Sequence, residues 1–322
     1  MVAGYYLAGC MVPARPFRFG IQAAAAPPGT SWGELARKVE DLGYSTLTVS
    51  DHLDDQLAVT PALMAAADAT TRLRLGSLTY CNDYRHPVVL AKETATIDLL
   101  SDGRLEVGLG AGWMTTDYER SGIPLDRPGV RIERLAEAVE VITGLWSDDP
   151  CTVDGRHYQV IGLDGQPKPA QRPRPPLLIG GGGRRVLSLA GRVADIVGLN
   201  IALGSGRIDA SAGPSATAAA TQDKVAWVRD AAGERFDQVE LQVRIHLAMV
   251  TDDRAAVAEA VAPGFGLSPA EALDSPYALA GTIDEIVDQC RERRERFGIS
   301  YIGLGLDALD AMAPVVAQLA GR

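Results

Sequence analysis

The chain has 322 residues, 47% of them hydrophobic and 22% charged, which is enough apolar content to bury a core without disulfides or metals. Its 41 acidic residues against 31 basic ones leave a formal net charge of -10, a surface that repels nucleic-acid phosphates and anionic membranes. No apolar run reaches the roughly 18 to 20 residues needed to span a bilayer, so neither a nucleic acid nor a membrane is an expected partner.

Met1 to Pro16 carries an apolar patch but no basic segment ahead of it, so it reads as a flexible extension rather than a secretory signal. A single domain over 17–322 is expected to follow. Cys10, Cys81, Cys151 and Cys290 form no CxxC pair and have no histidine at ligand spacing. That pattern predicts no metal site, no disulfide framework and reduced thiols in a cytoplasmic protein.

Strand-like runs begin near Phe17, Thr46, Arg72 and Leu105, about 30 residues apart, the length of a βα unit. Between the first two, Ser31 and Glu34 stand at capping-box spacing, Leu35, Val39 and Leu42 share one helical face, and Gly43 supplies the stop. A helix over 32–42 follows. The second strand, Thr46 to Asp51, precedes a helix that holds Pro61 in its first turn and ends near Thr70. The third strand, Arg72 to Tyr80, precedes a helix over 88–100. Ser101-Asp102-Gly103 turns the chain into a fourth strand, Leu105 to Leu109, and a long helix spans 130–146.

The proline-rich stretch 147–176 reads as an insertion of loops with a short hairpin, after which the period resumes. Pro176 to Gly180 is the fifth strand, 184–192 its helix and Ala194 to Leu199 the sixth strand. The Ser, Gly and Ala in 204–220 suggest a mobile lid loop. A helix over 221–232, a seventh strand over 239–250, a charged helix over 283–297 and an eighth strand over 301–306 complete the pattern. Eight strands alternating with helices predict an α/β fold, a (β/α)8 TIM barrel with insertions. A doubly wound sheet competes, but Gly108, Gly110 and Gly112 miss the dinucleotide pattern because Trp113 stands where its last glycine belongs.

In such a barrel the chemistry follows the strand ends. Asp51-His52 ends the second strand, where an imidazole can lie against a planar cofactor or shuttle a proton; an Asp that caps the next segment is the plain alternative. The third strand ends in Thr79 and Tyr80, expected ligand contacts, while His86 reads as opening the next helix. The glycines at 108, 110 and 112 allow either a close approach to the backbone or a bend at a barrel corner, and Trp113 could cover a flat ring. Gly181, Gly182, Gly183 and Arg184 run straight into a helix, where converging amides, a helix N-terminus and a guanidinium make an anion site. Asn200 is a further candidate contact, whereas His157 and His246 read as structural, and Cys81 lacks a basic partner to activate it.

Several of these segments are family signatures: Glu40-Asp41-Leu42-Gly43-Tyr44 with Asp51-His52, then Arg85-His86-Pro87, then 99–113 from Leu99-Leu100-Ser101-Asp102-Gly103 to Gly112-Trp113, and Leu178-Ile179-Gly180-Gly181-Gly182. From about Phe17 onward the chain resembles the bacterial luciferase-like flavin and deazaflavin oxidoreductases, especially the branch dependent on coenzyme F420. The resemblance implies a luciferase-like barrel, a homodimer and a small-molecule substrate. It also implies a cofactor ring beside Asp51, His52, Thr79, Tyr80, Gly112 and Trp113, with a non-prolyl cis peptide within 78–80, and the cofactor phosphate on Gly181 to Arg184. In that branch a hydride moves at the ring, and His52 matches an active-site histidine. Sugar-phosphate dehydrogenases of the branch carry glutamate where this chain has Trp113, which argues against the same substrate. An FMN-dependent monooxygenase is the alternative, and a cofactor-binding protein without turnover is a third reading.

Overall fold

The computed structural model describes residues 15–207 and 209–322, together with the backbone of 4–7 and 10–13. The first half of the chain alternates strand and helix: β1 (Arg18–Gln22), α1 (Trp32–Asp41), β2 (Thr46–Val49), α2 (Val59–Ala69), β3 (Arg74–Ser77), α3 (Pro87–Leu100), β4 (Leu105–Gly110), α4 (Thr115–Ser121) and α5 (Pro128–Trp146). The second half continues with β5 (Leu177–Gly181), α6 (Arg184–Val193), β6 (Ile196–Leu199), α7 (Ala218–Ala232), β7 (Glu240–Arg244), α8 (Arg254–Val261), α9 (Pro269–Asp274), α10 (Ile283–Phe297), β8 (Ile299–Gly305) and α11 (Ala313–Leu319).

The capping signals act as predicted. The Glu34 carboxylate accepts from the Ser31 amide and hydroxyl, each at 2.7 Å, and the Glu34 amide donates back to Ser31 Oγ at 3.2 Å, so α1 starts with its free amides satisfied. Gly43, at φ 83°, takes the left-handed conformation that ends it. Thr282 with Glu285 and Gly298 do the same for α10.

The chain packs as two compact units, one of 1–22, 39–46 and 180–322, the other of 23–38 and 47–179. In the first unit the strands lie in the order β6, β7, β8, β1. They are parallel, with Val197 opposite Leu241, Val243 opposite Ile302 and Tyr301 opposite Arg18. In the second, the order is β2, β3, β4 and the first residues of β5, with Leu75 opposite Leu105 and Leu177 opposite Val107. All residues of β2, β4 and β8 are buried, as parallel strands covered by helices require.

Three expectations change. The seventh strand is two: the Ile245 amide still bonds the Gly303 carbonyl beside β8, but the His246 amide turns to the Tyr277 carbonyl. Leu247–Val250 therefore pairs with Ala278–Gly281 in a separate sheet. The segment 204–220 is not a loop throughout, because Ala210–Ala216 forms a 3-10 helix and α7 begins at Ala218 under a Thr217 cap. In the N-terminal stretch, Gly4–Leu7 pairs antiparallel with Cys10–Pro13, whereas the part of the expected extension at 1–3, 8–9 and 14 lies outside the described residues. The expected hairpin of the insertion is Cys151–Asp154 against Gln159–Leu163.

Among the described residues no helix is long and apolar enough to cross a membrane, and no group of three or more His, Cys, Asp or Glu is placed to hold a metal. Cys81, Cys151 and Cys290 are free and buried.

Candidate active site

In the second unit, the ends of β2, β3 and β4 bring one polar cluster together. Asp51 is 8% exposed and grips Arg85 in two places, Oδ2 to Nη1 at 2.6 Å and Oδ1 to Nη2 at 3.1 Å; Oδ2 also accepts from the Cys81 amide at 2.9 Å. Its carboxylate thus fastens the segment after β3. Its expected place beside a cofactor edge stands as a proposal.

His52 faces the other way. Its Nδ1 lies 2.8 Å from Oδ2 of Asp117, a carboxylate with only 4% side-chain exposure that also accepts from the Tyr84 hydroxyl at 2.9 Å and the Leu53 amide at 3.4 Å. Because the carboxylate accepts, Nδ1 carries the proton and Nε2 is left with the lone pair in the neutral ring. The His52 side chain is 20% exposed, and the Trp113 ring stands edge-on to it, centroids 5.5 Å apart and planes at 90°. This Asp–His pair beside an aromatic ring can give or take a proton at Nε2.

The Leu78–Thr79 peptide is cis, within the predicted span. Thr79 is partly exposed beside it, but Tyr80 is fully buried, with its hydroxyl 3.2 Å from Thr60 Oγ1 and its phenol pushed up by burial. The Tyr80 side chain is core, so the ligand contact proposed for this residue falls to its backbone.

The alternating glycines after residue 107 have a cause in the protein itself. A Cβ on Gly108 would fall inside the Ser77 carbonyl oxygen, one on Gly110 inside Thr79 Oγ1, and one on Gly112 inside the Tyr118 hydroxyl. Gly112 also sits at φ 75°. Neither a ligand nor a corner is needed to explain them: the chain after β3 and the helix α4 press directly on β4. Tyr118 in turn donates to Asp83 at 2.9 Å, and Asp83 accepts from Arg134 Nε at 2.9 Å.

The first unit holds the glycine run. A Cβ on Gly181 would strike Val186, and one on Gly182 would strike the Ile201 carbonyl, so both glycines serve packing of the turn. Gly183 has open space where a Cβ would be, and it and Arg184 are exposed at the N-terminus of α6. Asn200 Oδ1 is already occupied by the Ile201 amide at 2.8 Å and by His246 Nε2 at 2.9 Å. His246, read from sequence as a strand-interior residue, instead stands past the end of β7, and burial beside Arg244 and Lys224 pushes it down to about 4.

Lys224 was invisible to sequence reasoning because it sits among ordinary helix residues. It is buried, its Nζ donates to Ser215 O at 2.6 Å and Tyr277 Oη at 2.9 Å, and burial pushes it down to about 7 from 10.5. An unfolded chain holds the proton between those values and the native state does not, so stability rises with pH from about 7 toward 10.5. Denaturant titrations across that range are expected to show the rise in the native protein and a flattened profile in Lys224→Met.

The model of the family described as luciferase-like monooxygenase matches residues 14–297. The chain belongs to the luciferase-like monooxygenase family. A member from Microbacterium testaceum, F420-dependent glucose-6-phosphate dehydrogenase, is 30% identical over 192 residues, 56% of this chain and 55% of the relative. FMNH(2)-dependent dimethylsulfone monooxygenase of Pseudomonas putida is 30% identical over 146 residues, 45% of this chain and 39% of the relative. The chain thus spans about half the length of the curated relatives it matches. Among solved structures, the coenzyme F420-dependent tetrahydromethanopterin reductase of Methanopyrus kandleri matches with a TM-score of 0.73 at 19% identity, over 95% of this chain and 98% of that one. The fold is therefore the closed parallel (β/α)8 barrel of this family, as the strand-helix period predicts.

Within this luciferase-like chain, Asp117, Tyr84 and Tyr118 were missed from sequence. The seven-residue helix α4 that carries Asp117 and Tyr118 is too short and too polar to show an apolar period. The one signal present is Gly122, which caps it at φ 75°.

Proposed function

We propose that this protein is an oxidoreductase that uses coenzyme F420 to move a hydride to or from a small organic substrate, with His52 as the proton-handling group. The observation that carries the reading is the His52–Asp117 pair at the strand ends, with Nε2 turned away from the carboxylate. The choice of deazaflavin rests on similarity to F420-dependent relatives.

The residues fit such a cofactor. Gly183 has open space at its Cβ position at the start of the ten-residue α6, beside the exposed Arg184, which suits an anionic phosphate group. In the second unit, Thr79, Gly112 and Trp113, with His52, would border its ring. A bound deazaflavin supplies the two-electron hydride chemistry. The chain's own part is to hold the substrate and manage its proton. Asp117 keeps the proton of His52 on Nδ1, so Nε2 can accept the hydroxyl proton of a substrate being oxidised and return it in the reverse direction. Trp113 also stands where sugar-phosphate dehydrogenases resembling this chain carry glutamate, so His52 handles the proton without that acid and a sugar phosphate is not the favoured substrate.

A reduced-FMN monooxygenase is the second reading, favoured by the similarity to the dimethylsulfone enzyme. A side-by-side fluorescence titration of the purified protein with F420 and FMN separates the two. Preferential uptake of F420 is expected; preference for FMN, with oxygen consumption by the reduced flavin, would replace the first reading by the second, and uptake of neither would remove both. A homodimer in the cytoplasm is proposed on the resemblance alone, and light scattering checks the dimer.

A further inference from the structure

The helix α5 places two arginines one turn apart, Arg131 and Arg134, against the loops of the proposed site. Arg134 is paired with carboxylates, Asp83 and Asp126, each at 2.9 Å. Arg131 differs. It is 8% exposed, and among the described residues its guanidinium pairs with no carboxylate. Nη1 donates to the carbonyls of Ala111, at 3.3 Å, and Gly112, and the charge lies 5.9 Å from the Tyr118 ring centroid. Its Nε is buried without a partner.

Burying an unpaired charge and leaving a donor unsatisfied both cost stability. An apolar side chain in the same space would avoid both costs, so core packing alone does not account for an arginine there. What the guanidinium does uniquely is bind two successive carbonyls at the point where β4 has ended and Gly112 turns left-handed. The residue that leaves this turn is Trp113, whose ring stands perpendicular to that of His52.

We infer that Arg131 is a positioning residue that sets Trp113 against His52 by clamping the Ala111–Gly112 turn. Tyr118 also limits the turn, because its hydroxyl occupies the place of a Gly112 side chain. The turn that leads into Trp113 is therefore held by a hydrogen-bond clamp from α5 and a steric stop from α4. The inference rests on the reading of His52 as the proton-handling group for its functional consequence, but its geometric core does not.

The test uses the full-length protein without cofactor, following the His52 ring protons by NMR, with His52→Gln assigning them among the four histidines. Trp113→Leu removes the ring current and shifts these signals. Arg131→Met is expected to shift them in the same direction and to add little in the double variant. Unmoved signals in a folded Arg131→Met protein, or shifts that add fully, overturn the inference. Should the Met variant fail to fold, Arg131→Lys, which keeps the charge but loses the two-carbonyl grip, is expected to give a smaller shift in the same direction; no shift overturns the inference there too. With turnover in hand, kcat is expected to fall about tenfold or more, since a small misplacement acts on the reacting geometry. If neither F420 nor FMN binds, the proposed function fails while the NMR outcome still stands on its own.

Discussion

His52→Gln is expected to lower turnover by about 10²- to 10⁴-fold while leaving cofactor affinity within a few-fold, the range that a positioned acid or base contributes. Glutamine fills similar space and keeps hydrogen bonding to Asp117 Oδ2, so the site survives and only proton transfer at Nε2 is lost. Asp117→Asn probes the same pair from behind. The carboxylate accepts from His52, Tyr84 and Leu53 together, and an amide cannot accept from all of them in the same way. A donor placed opposite Nδ1 favours the tautomer with the proton on Nε2, the wrong end for accepting one. A fall of about 10²-fold in kcat, with a displaced pH profile, is the expected result. Single-turnover rates measured beside cofactor titrations separate the chemistry from binding. Undiminished turnover in His52→Gln would move the proton-handling role to another residue.

Gly108→Ala is expected to have the largest effect on stability. The new methyl would fall inside the Ser77 carbonyl oxygen, with the carbonyl carbon at 3.1 Å and Thr79 Cγ2 at 3.3 Å. No side chain can rotate away from a collision with backbone. Ser77 is also tied to Gly108 twice, Oγ donating to the Gly108 carbonyl at 2.8 Å and accepting from its amide at 2.9 Å, so the strands cannot part without breaking both bonds. A loss of about 3 kcal/mol or poor soluble yield is expected, at the upper end for overpacking. Gly183→Ala is the matched control. Its Cβ would meet nothing within 4 Å, so stability should change by no more than about 0.5 kcal/mol. Guanidinium chloride unfolding of both variants makes the comparison.

Local chemistry alone determined a good deal of this protein. The helix α1 announces itself by Ser31 with Glu34, because a capping box satisfies amides within four residues of chain. The 30-residue period declared the barrel, and the position of Asp51-His52 at a strand end pointed to the cluster proposed here as the site. Partners were another matter. Asp117 lies 65 residues from His52 and on a helix with no apolar stripe, so only folding reveals that the imidazole has a carboxylate behind it. Asp51, its neighbour, is also Arg85's counterion, 34 residues away, which the sequence does not show. The three glycines of 108–112 could be read as space for a ligand, yet Ser77, Thr79 and Tyr118 fill that space. Lys224 looks like any helical lysine until its neighbours close over it. Backbone periodicity and caps are decided by neighbours in sequence, whereas tautomer, charge and clearance are decided by whichever atoms the tertiary fold brings within a few ångströms, and those come from residues tens of positions apart.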